Sequence, residues 1–256
     1  MSGKNRTELL ATVVIFTLFM IIGSLADVVV PDRARLYAPI LAKNQQTLWP
    51  DAPVPWTLAG LIEQETGPCP RGRQCWNPRA ELKTSREYGF GLGQITITSR
   101  FNEFNELKKK YASLRDWEWN ARFDPDHQLV AVVEMIHALW RQVPPFATQE
   151  DHWAFTDCAY NGGLGGLLQD RRACSNSAGC DPTRWFGNVE THSLKSRTPQ
   201  PAYGGQSFYG INRGHVRNVL RVFPAKYRQF WVSVEKTAPA LTSPAPTEEK
   251  KRWWQF

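Results

Sequence analysis

Several common functional signals are missing from this 256-residue chain. It has no long run of Lys or Arg and no nucleic-acid-binding signature, so we expect no nucleic-acid partner. Its five His residues match no metal-ligand spacing, and we predict neither a metal nor a cofactor. The net charge of +7 nevertheless requires an anionic partner of another kind, such as a membrane surface or an anionic wall polymer.

The N-terminal region contains one long uncharged apolar stretch, residues 9–26, preceded by Lys4 and Arg6. At about 1.5 Å per residue, a helix of this length reaches roughly 27 Å, which is enough to span a bilayer. The preceding positive charges predict a cytoplasmic N-terminus and a periplasmic remainder, as in a single-pass inner-membrane protein. A cleaved signal peptide is the alternative, with Ser24 and Ala26 at the −3 and −1 positions, and it would give a secreted protein.

Four of the five cysteines form two pairs, Cys69 with Cys75 and Cys174 with Cys180, each with five residues between the partners. In an oxidising compartment, such pairs in loop-forming stretches predict two small disulfide loops, although spacing does not fix the connectivity. A four-Cys zinc site is the alternative, but it usually has two to four residues between paired ligands. The fifth, Cys158, lies in an apolar stretch and is predicted to be a buried free thiol.

Composition divides the chain into four parts. Residues 1–26 are the anchor or signal segment, and residues 27–52 are interpreted as a stalk or linker. A globular domain is predicted over residues 53–234. Residues 235–256 combine three Pro with a charged run and are predicted to be a disordered tail.

The globular part is predicted to be mainly α, with little strand. Asp124 and Pro125 suit the N-cap and first position of a helix that is apolar almost all round and should be the central buried one. The predicted helices cover residues 55–66, 101–111, 124–140, 151–160 and 215–223, and the best strand candidate covers residues 94–98.

Glu65 occupies a distinctive position on the helix predicted at residues 55–66. It follows Leu58 by seven residues, and at 100° per residue the two directions differ by about 20°. Glu63 is about 140° from Leu58 and is predicted to face solvent. A carboxyl at the end of an apolar face loses hydration, which favours the protonated form that a general acid needs. A structural Glu that caps a neighbouring helix is the alternative.

Glu65 also begins a series of short sequence blocks. The blocks are Glu65-Thr66, Asn77-Pro78-Arg79-Ala80, Gly91-Leu92-Gly93-Gln94-Ile95, Asp124-Pro125 and Ala159-Tyr160-Asn161-Gly162-Gly163. In composition and order they resemble the soluble lytic transglycosylase family, which shares a lysozyme-like fold with goose-type lysozymes. Thr66 replaces the usual Ser and Gly93 replaces the usual Met. Residues 171–209 match no part of the family pattern.

The resemblance implies an α+β lysozyme-like fold and a role for Glu65 as acid and base. Glu65 would protonate the oxygen between N-acetylmuramic acid and N-acetylglucosamine, then accept a proton as the muramic C6 hydroxyl attacks, leaving a 1,6-anhydro end. Gln94, Tyr160 and Asn161 would bind substrate. Tyr203 and Tyr209 are both possible positions for the family's late Tyr, and the interpretation relies on neither.

A hydrolytic glycosidase normally needs a second carboxylate, and no motif identifies one here. Glu81 and Glu87 are within reach of the expected cleft, Asp157 is interpreted as a solvated helix residue, and the His residues are interpreted as structural or superficial.

Two alternative functions remain open at this stage. One is a hydrolytic muramidase on the same fold, and the other is an inactive glycan-binding scaffold of a phage or secretion apparatus. The expected partners are peptidoglycan strands and the membrane, with an envelope-spanning complex as a further candidate.

Overall fold

The computed structural model describes residues 30–67, 69 and 74–237 of the chain. The predicted membrane segment and residues 238–256 of the predicted tail lie outside the described residues. Residues 235–237, which were also predicted as tail, instead form the end of a helix. Within the described residues, no helix is both long and apolar enough to cross a membrane.

The described residues are mainly helical, which confirms the predicted mainly α class. The α-helices are α1 (Asp32–Leu48), α2 (Thr57–Thr66), α3 (Glu103–Lys110), α4 (Pro125–Gln142), α5 (Gln149–Gly162), α6 (Leu164–Ser175), α7 (Phe208–Arg217) and α8 (Pro224–Thr237). The strands are β1 (Glu81–Lys83), β2 (Glu87–Phe90) and β3 (Ile95–Thr98). Short 3-10 turns cover Ala112–Leu114, Trp119–Ala121, Val189–Thr191 and Pro201–Tyr203, and a π turn covers Asn218–Val222.

Helix α1 lies where a stalk was predicted, and that interpretation is wrong for residues 30–52. The helix buries Ala34, Ala38 and Leu41 in the main core, and it packs against α4. Just after the helix, the Trp49 indole stacks on His137 of α4 with ring centroids 4.9 Å apart. Small apolar residues at helical spacing form this interface, so the folded unit includes residues well before the predicted boundary at residue 53.

Helix α4 is the central helix that the sequence predicts. The Asp124 carboxylate accepts a hydrogen bond from the His127 amide at 3.3 Å, and Pro125 occupies the first turn. Its apolar surface is buried along most of its length, where it contacts both α1 and α5. The prediction of a buried central helix is confirmed.

Strands β1, β2 and β3 form a three-stranded antiparallel sheet in that order. The strand predicted at residues 94–98 is found as β3, whereas β1 and β2 were missed. Both are three or four residues long, and all of β1 is exposed, so neither has the alternating pattern that predicts a strand. The sheet packs through Phe90 and Ile95 on a second core that includes Trp117.

A third core lies between α5, α6 and α7 and includes Phe155, Trp185 and Val216. Much of the unmatched segment 171–209 packs here. Helix α5 ends at Gly163, whose φ of 76° is the left-handed conformation expected of a helix-ending glycine. The helix predicted at residues 215–223 begins earlier, at Phe208, and its second half is the π turn.

The cysteine predictions are confirmed. Cys69 is bonded to Cys75 and Cys174 to Cys180, with Cα–Cα distances of 5.6 and 5.4 Å, and Cys158 is a buried free thiol. Burial raises the pKa of the Cys158 thiol to about 12, so it stays protonated at neutral pH.

Candidate active site

A cleft of about 980 Å³ runs between the sheet and the helices. Its walls come from the end of α2, from β1, β2 and β3, from α3 and α4, and from the end of α5. The four residues that the sequence analysis placed at the site all line this cleft: Glu65, Gln94, Tyr160 and Asn161.

Glu65 occupies the last turn of α2, and its side chain is 13% exposed. The next residue, Thr66, secures this turn. Its hydroxyl donates to the Ile62 carbonyl at 2.7 Å and accepts from the Trp76 amide at 2.8 Å. The hydroxyl that Thr66 shares with the family's Ser therefore ties the helix end to the segment that follows the first disulfide loop.

Glu63 does not face solvent, and the prediction that it would is wrong. Its side chain is fully buried and accepts hydrogen bonds from the Lys226 ammonium at 2.7 Å, the Tyr227 hydroxyl at 2.6 Å and the Cys69 amide at 3.0 Å. Helix α8 covers this side of α2, so the helix is buried on more than one face. Burial, together with the Glu63 carboxylate, raises the pKa of Tyr227.

Behind Glu65 lies a residue that the sequence analysis missed. His215 Nε2 lies 2.7 Å from Glu65 Oε1, and His215 Nδ1 lies 2.8 Å from Asp157 Oδ2. His215 was interpreted as structural or superficial and Asp157 as solvated, but both are buried, so the Asp157 interpretation is wrong. Desolvation opposes the charge on this ring, but the Asp157 and Glu65 carboxylates outweigh it and raise the pKa of His215 to about 10.

Tyr160 lines the cleft and contacts the turn between β2 and β3. Its hydroxyl donates to the Gly93 carbonyl at 2.5 Å. Burial, with the nearby charges of Glu65, Glu103 and Asp157, raises the pKa of Tyr160 well above its ordinary value, so the phenol remains a donor.

The structure also explains Gly93, which stands where the family has Met. A Cβ atom at this position would lie 2.7 Å from Val132 Cγ2 and 2.9 Å from the Tyr160 hydroxyl. The close approach of α4 and α5 leaves no room there for a side chain.

Gln94 lies at the turn between β2 and β3, with a positive φ of 45°. Its amide nitrogen donates to the Gly91 carbonyl at 3.0 Å and, at 3.4 Å, to that of Ala80. The side chain therefore holds the turn closed while it lines the cleft.

Asn161 lines the cleft from the end of α5. Its side-chain oxygen accepts from Asn212 Nδ2 at 3.0 Å, and the Asn212 amide also donates to the Cys158 carbonyl. The residue is thus fixed between α5 and α7.

Glu103 is a second carboxylate of the cleft that no motif identified. It is the first residue of α3, and its Oε2 accepts from the Thr96 amide at 3.0 Å. Burial raises the pKa of Glu103, and the charge of Glu65 raises it further. It follows the N-cap Asn102, a local pattern that predicts a helix start and gives no sign of a cleft.

Glu81 and Glu87 also line the cleft, as the sequence suggested. Glu81 accepts from the Tyr88 hydroxyl and Glu87 from the Tyr203 hydroxyl, each at 2.6 Å. The Tyr209 hydroxyl donates to the Glu190 carbonyl. The hydroxyls of Tyr203 and Tyr209 thus form hydrogen bonds with groups other than Glu65. From the C-terminal half of the chain, His215 contacts Glu65.

No family model matches the chain. It is similar to membrane-bound lytic murein transglycosylase F of Histophilus somni, with 34% identity over 193 residues, covering 72% of this chain and 32% of that protein. It is also similar to the protein of that name from Vibrio cholerae, with 29% identity over 156 residues, covering 58% of this chain and 25% of that protein. The chain thus spans about a third or less of the length of these relatives. It is homologous to the lytic murein transglycosylases over most of its own length, which confirms the resemblance that its sequence blocks indicated.

Proposed function

We propose that this protein cleaves peptidoglycan glycan strands as a lytic transglycosylase, with Glu65 as acid and base. The observation that carries the proposal is the place of Glu65: a carboxyl that is 13% exposed, on the wall of a large cleft, at the position where the family has its catalytic Glu. The names of the relatives support the same reaction class.

The volume and walls of the cleft suit a polymeric sugar. At about 980 Å³ it is at the upper end of ordinary ligand sites. Aromatic residues such as Phe101, Tyr111 and Tyr203 line it beside carboxylates and amides, a combination that offers both stacking faces and hydrogen bonds to sugar rings.

The proposed reaction needs one carboxyl group. Glu65 gives its proton to the oxygen between muramic C1 and glucosamine C4, and the C1–O bond breaks with its electron pair passing to that oxygen. The C6 hydroxyl of the same muramic residue then attacks C1, and its proton passes to Glu65. The products are a 1,6-anhydromuramic end and a free glucosamine C4 hydroxyl, and Glu65 regains its starting protonation state.

Hydrolysis is the second candidate, and Glu103 favours it. Two carboxyl groups in one cleft are the usual equipment of a hydrolytic glycosidase, one as acid and the other as base or nucleophile. In that case a water molecule would attack C1, and the product would be a reducing end.

We further propose that the domain works at the periplasmic face of the inner membrane. The apolar stretch at residues 9–26 and the description of the relatives as membrane-bound support this location. Signal cleavage and secretion remain the alternative, and mass measurement of the mature N-terminus in the producing cell distinguishes the two.

The experiment is product analysis by mass spectrometry after the full chain, purified in detergent, is incubated with peptidoglycan. The variants are Glu65→Gln, Glu103→Gln and, as a control, Glu106→Gln, which alters an exposed carboxylate in the same cleft. We expect anhydro ends from the wild type and from Glu106→Gln, and none from Glu65→Gln.

Reducing ends that the wild type produces and that both Glu65→Gln and Glu103→Gln lack would indicate that the reaction is hydrolysis. A folded wild type that yields no products would contradict enzymatic activity and favour a glycan-binding role.

A further inference from the structure

Three separate elements converge behind Glu65. The end of α2 supplies Glu65, α5 supplies Asp157 and α7 supplies His215, although the first and last are 150 residues apart in sequence. Each ring nitrogen of His215 lies within hydrogen-bonding distance of one carboxylate oxygen. The His215 side chain is 3% exposed and that of Asp157 is fully buried, so the chain of groups runs from the cleft into the core.

Two protonation states of Glu65, His215 and Asp157 are compatible with these hydrogen-bonding distances. If both carboxylates are ionised, the ring must carry two N–H groups, because each carboxylate can only accept. If Glu65 is protonated, it donates to Nε2, and the remaining N–H at Nδ1 donates to Asp157. The two states share the same heavy-atom positions and differ in where one proton lies along the 2.7 Å line from Oε1 to Nε2.

Asp157 determines whether that proton is retained. Its Oδ2 contacts the His215 ring, while its buried Oδ1 has no hydrogen-bond partner among the described residues. Its charge is therefore balanced chiefly by the His215 ring. A buried carboxylate with one such partner strongly favours a proton on that partner.

We propose that His215, anchored by Asp157, is a positioning residue that holds Glu65 Oε1 and keeps available the proton that Glu65 delivers to the glycosidic oxygen. This inference rests on the proposed function. It places His215 behind Glu65, acting on the substrate through that carboxyl, and it assigns Asp157 the task of retaining the proton.

Other charged groups lie near these three residues and influence the pH at which His215 loses a proton. Glu103 from α3 and Tyr160 from α5 both feel the charge of Glu65. Two residues before His215 on α7, Arg213 pairs with Asp170 of α6, and Lys195 pairs with the same Asp170 carboxylate. Neither Asp157→Asn nor a change at Thr156 removes any of these neighbours, so a difference between those two variants reports on Asp157.

The test is the pH dependence of kcat and KM for glycan cleavage in the wild type, Asp157→Asn and Thr156→Ala. Thr156 is a buried neighbour on α5 whose hydroxyl donates to the His152 carbonyl. Loss of this hydroxyl perturbs the helix but leaves Glu65, His215 and Asp157 in place. Asp157→Asn removes a negative charge beside the ring. We expect the alkaline limb of its kcat profile to move to lower pH by about one unit or more, with KM changed less than twofold.

The same shift should appear without turnover. In nitrogen NMR spectra of the full chain, we expect the His215 ring of the wild type to carry a proton on both nitrogens at pH 7. As the pH is raised, the ring of Asp157→Asn should lose one of these protons at a lower pH than the ring of the wild type does. Thr156→Ala should follow the wild type in both measurements.

An alkaline limb in Asp157→Asn that matches the wild type, with kcat reduced equally at every pH, would overturn the inference and leave a purely structural role. An unshifted His215 titration would overturn it as well. These outcomes differ from failure of the proposed function, in which the wild type itself gives no products at any pH.

Discussion

Glu63 and Glu65 are two residues apart on α2, yet their surroundings are opposite. Glu63 is surrounded by donors from α8 and from the first disulfide loop, and it contributes to the joint between α2 and α8. Among the described residues, Glu65 has one direct buried partner, His215, and its side chain otherwise lines the cleft. A carboxylate whose acceptor sites are all hydrogen-bonded suits a structural role. A carboxylate that keeps unbonded acceptor sites at a cleft suits a role in catalysis.

We therefore expect Glu63→Gln to destabilise the fold much more than Glu65→Gln. The substitution leaves the Lys226 ammonium, which is 16% exposed, without its counter-charge. Breaking a buried ion pair costs about 3 kcal/mol, and this value is the low end of the usual range because the ammonium keeps some contact with water. Urea unfolding of both variants measures the difference. Equal unfolding free energies for Glu63→Gln and the wild type would contradict this role.

At the scale of the element, the sequence predicted helices whose signals are local. Helix α4 carries its own N-cap, first-turn Pro and apolar length, and α5 carries its Asn161-Gly162-Gly163 stop. Helix α1 was missed because its buried face consists largely of Ala, and because Pro39 and polar residues gave it the composition of a linker. Strands β1 and β2 were missed because hydrogen bonds to their neighbours, rather than their own pattern, make them strands.

The first disulfide loop follows directly after the end of α2. Cys69 and Cys75 are six positions apart, and the Cys69 amide donates to Glu63. Closing a loop of this length lowers the entropy of the unfolded state, which stabilises the folded state by about 2 kcal/mol. We expect the double variant Cys69→Ala/Cys75→Ala to unfold with a free energy lower by about this amount in urea.

The other disulfide provides a matched control, since Cys174 and Cys180 have the same separation. Its double Ala variant should lose the same entropic amount and more packing, because Cys174 is fully buried in the third core whereas Cys75 is 8% exposed in the main core. A larger loss from the first pair than from the second would contradict this ranking.

On the scale of the whole molecule, the parts of the site that follow one another in sequence could be predicted, and the parts that tertiary contacts bring together could not. Glu65, Gln94, Tyr160 and Asn161 belong to recognisable blocks, and all four line one cleft. His215 and Asp157 join Glu65 from helices 150 and 92 positions away, and neither lies in a pattern that marks chemistry. Their roles depend on how α5 and α7 pack against the end of α2, which periodicity does not determine.

The buried His215 also links global stability to pH. Because its pKa rises from 6.5 to about 10 on folding, the folded chain keeps a proton between these values that the unfolded chain has lost. The stabilisation is complete below pH 6.5 and is lost as the pH rises towards 10. The free energy of unfolding should therefore fall as the pH rises above 7, by up to about 1.4 kcal/mol per pH unit from this group.

Urea unfolding at several pH values between 7 and 9 measures this slope in the full chain. His215→Gln removes the titrating ring, so its unfolding free energy should change less with pH over this interval. Parallel slopes for the two proteins would show that other groups account for the pH dependence.

The packing of α1 on α4 brings folded structure close in sequence to the predicted membrane segment. If residues 9–26 span the bilayer as proposed, folded structure begins only a few residues later in the sequence, at Val30, which is buried in the main core. A 26-residue stalk, as residues 27–52 were interpreted, would have allowed a much longer reach from the membrane. On the proposed topology, the shorter connection would hold the domain close to the membrane, so an opening made by the proposed cleavage would begin on the inner side of the wall.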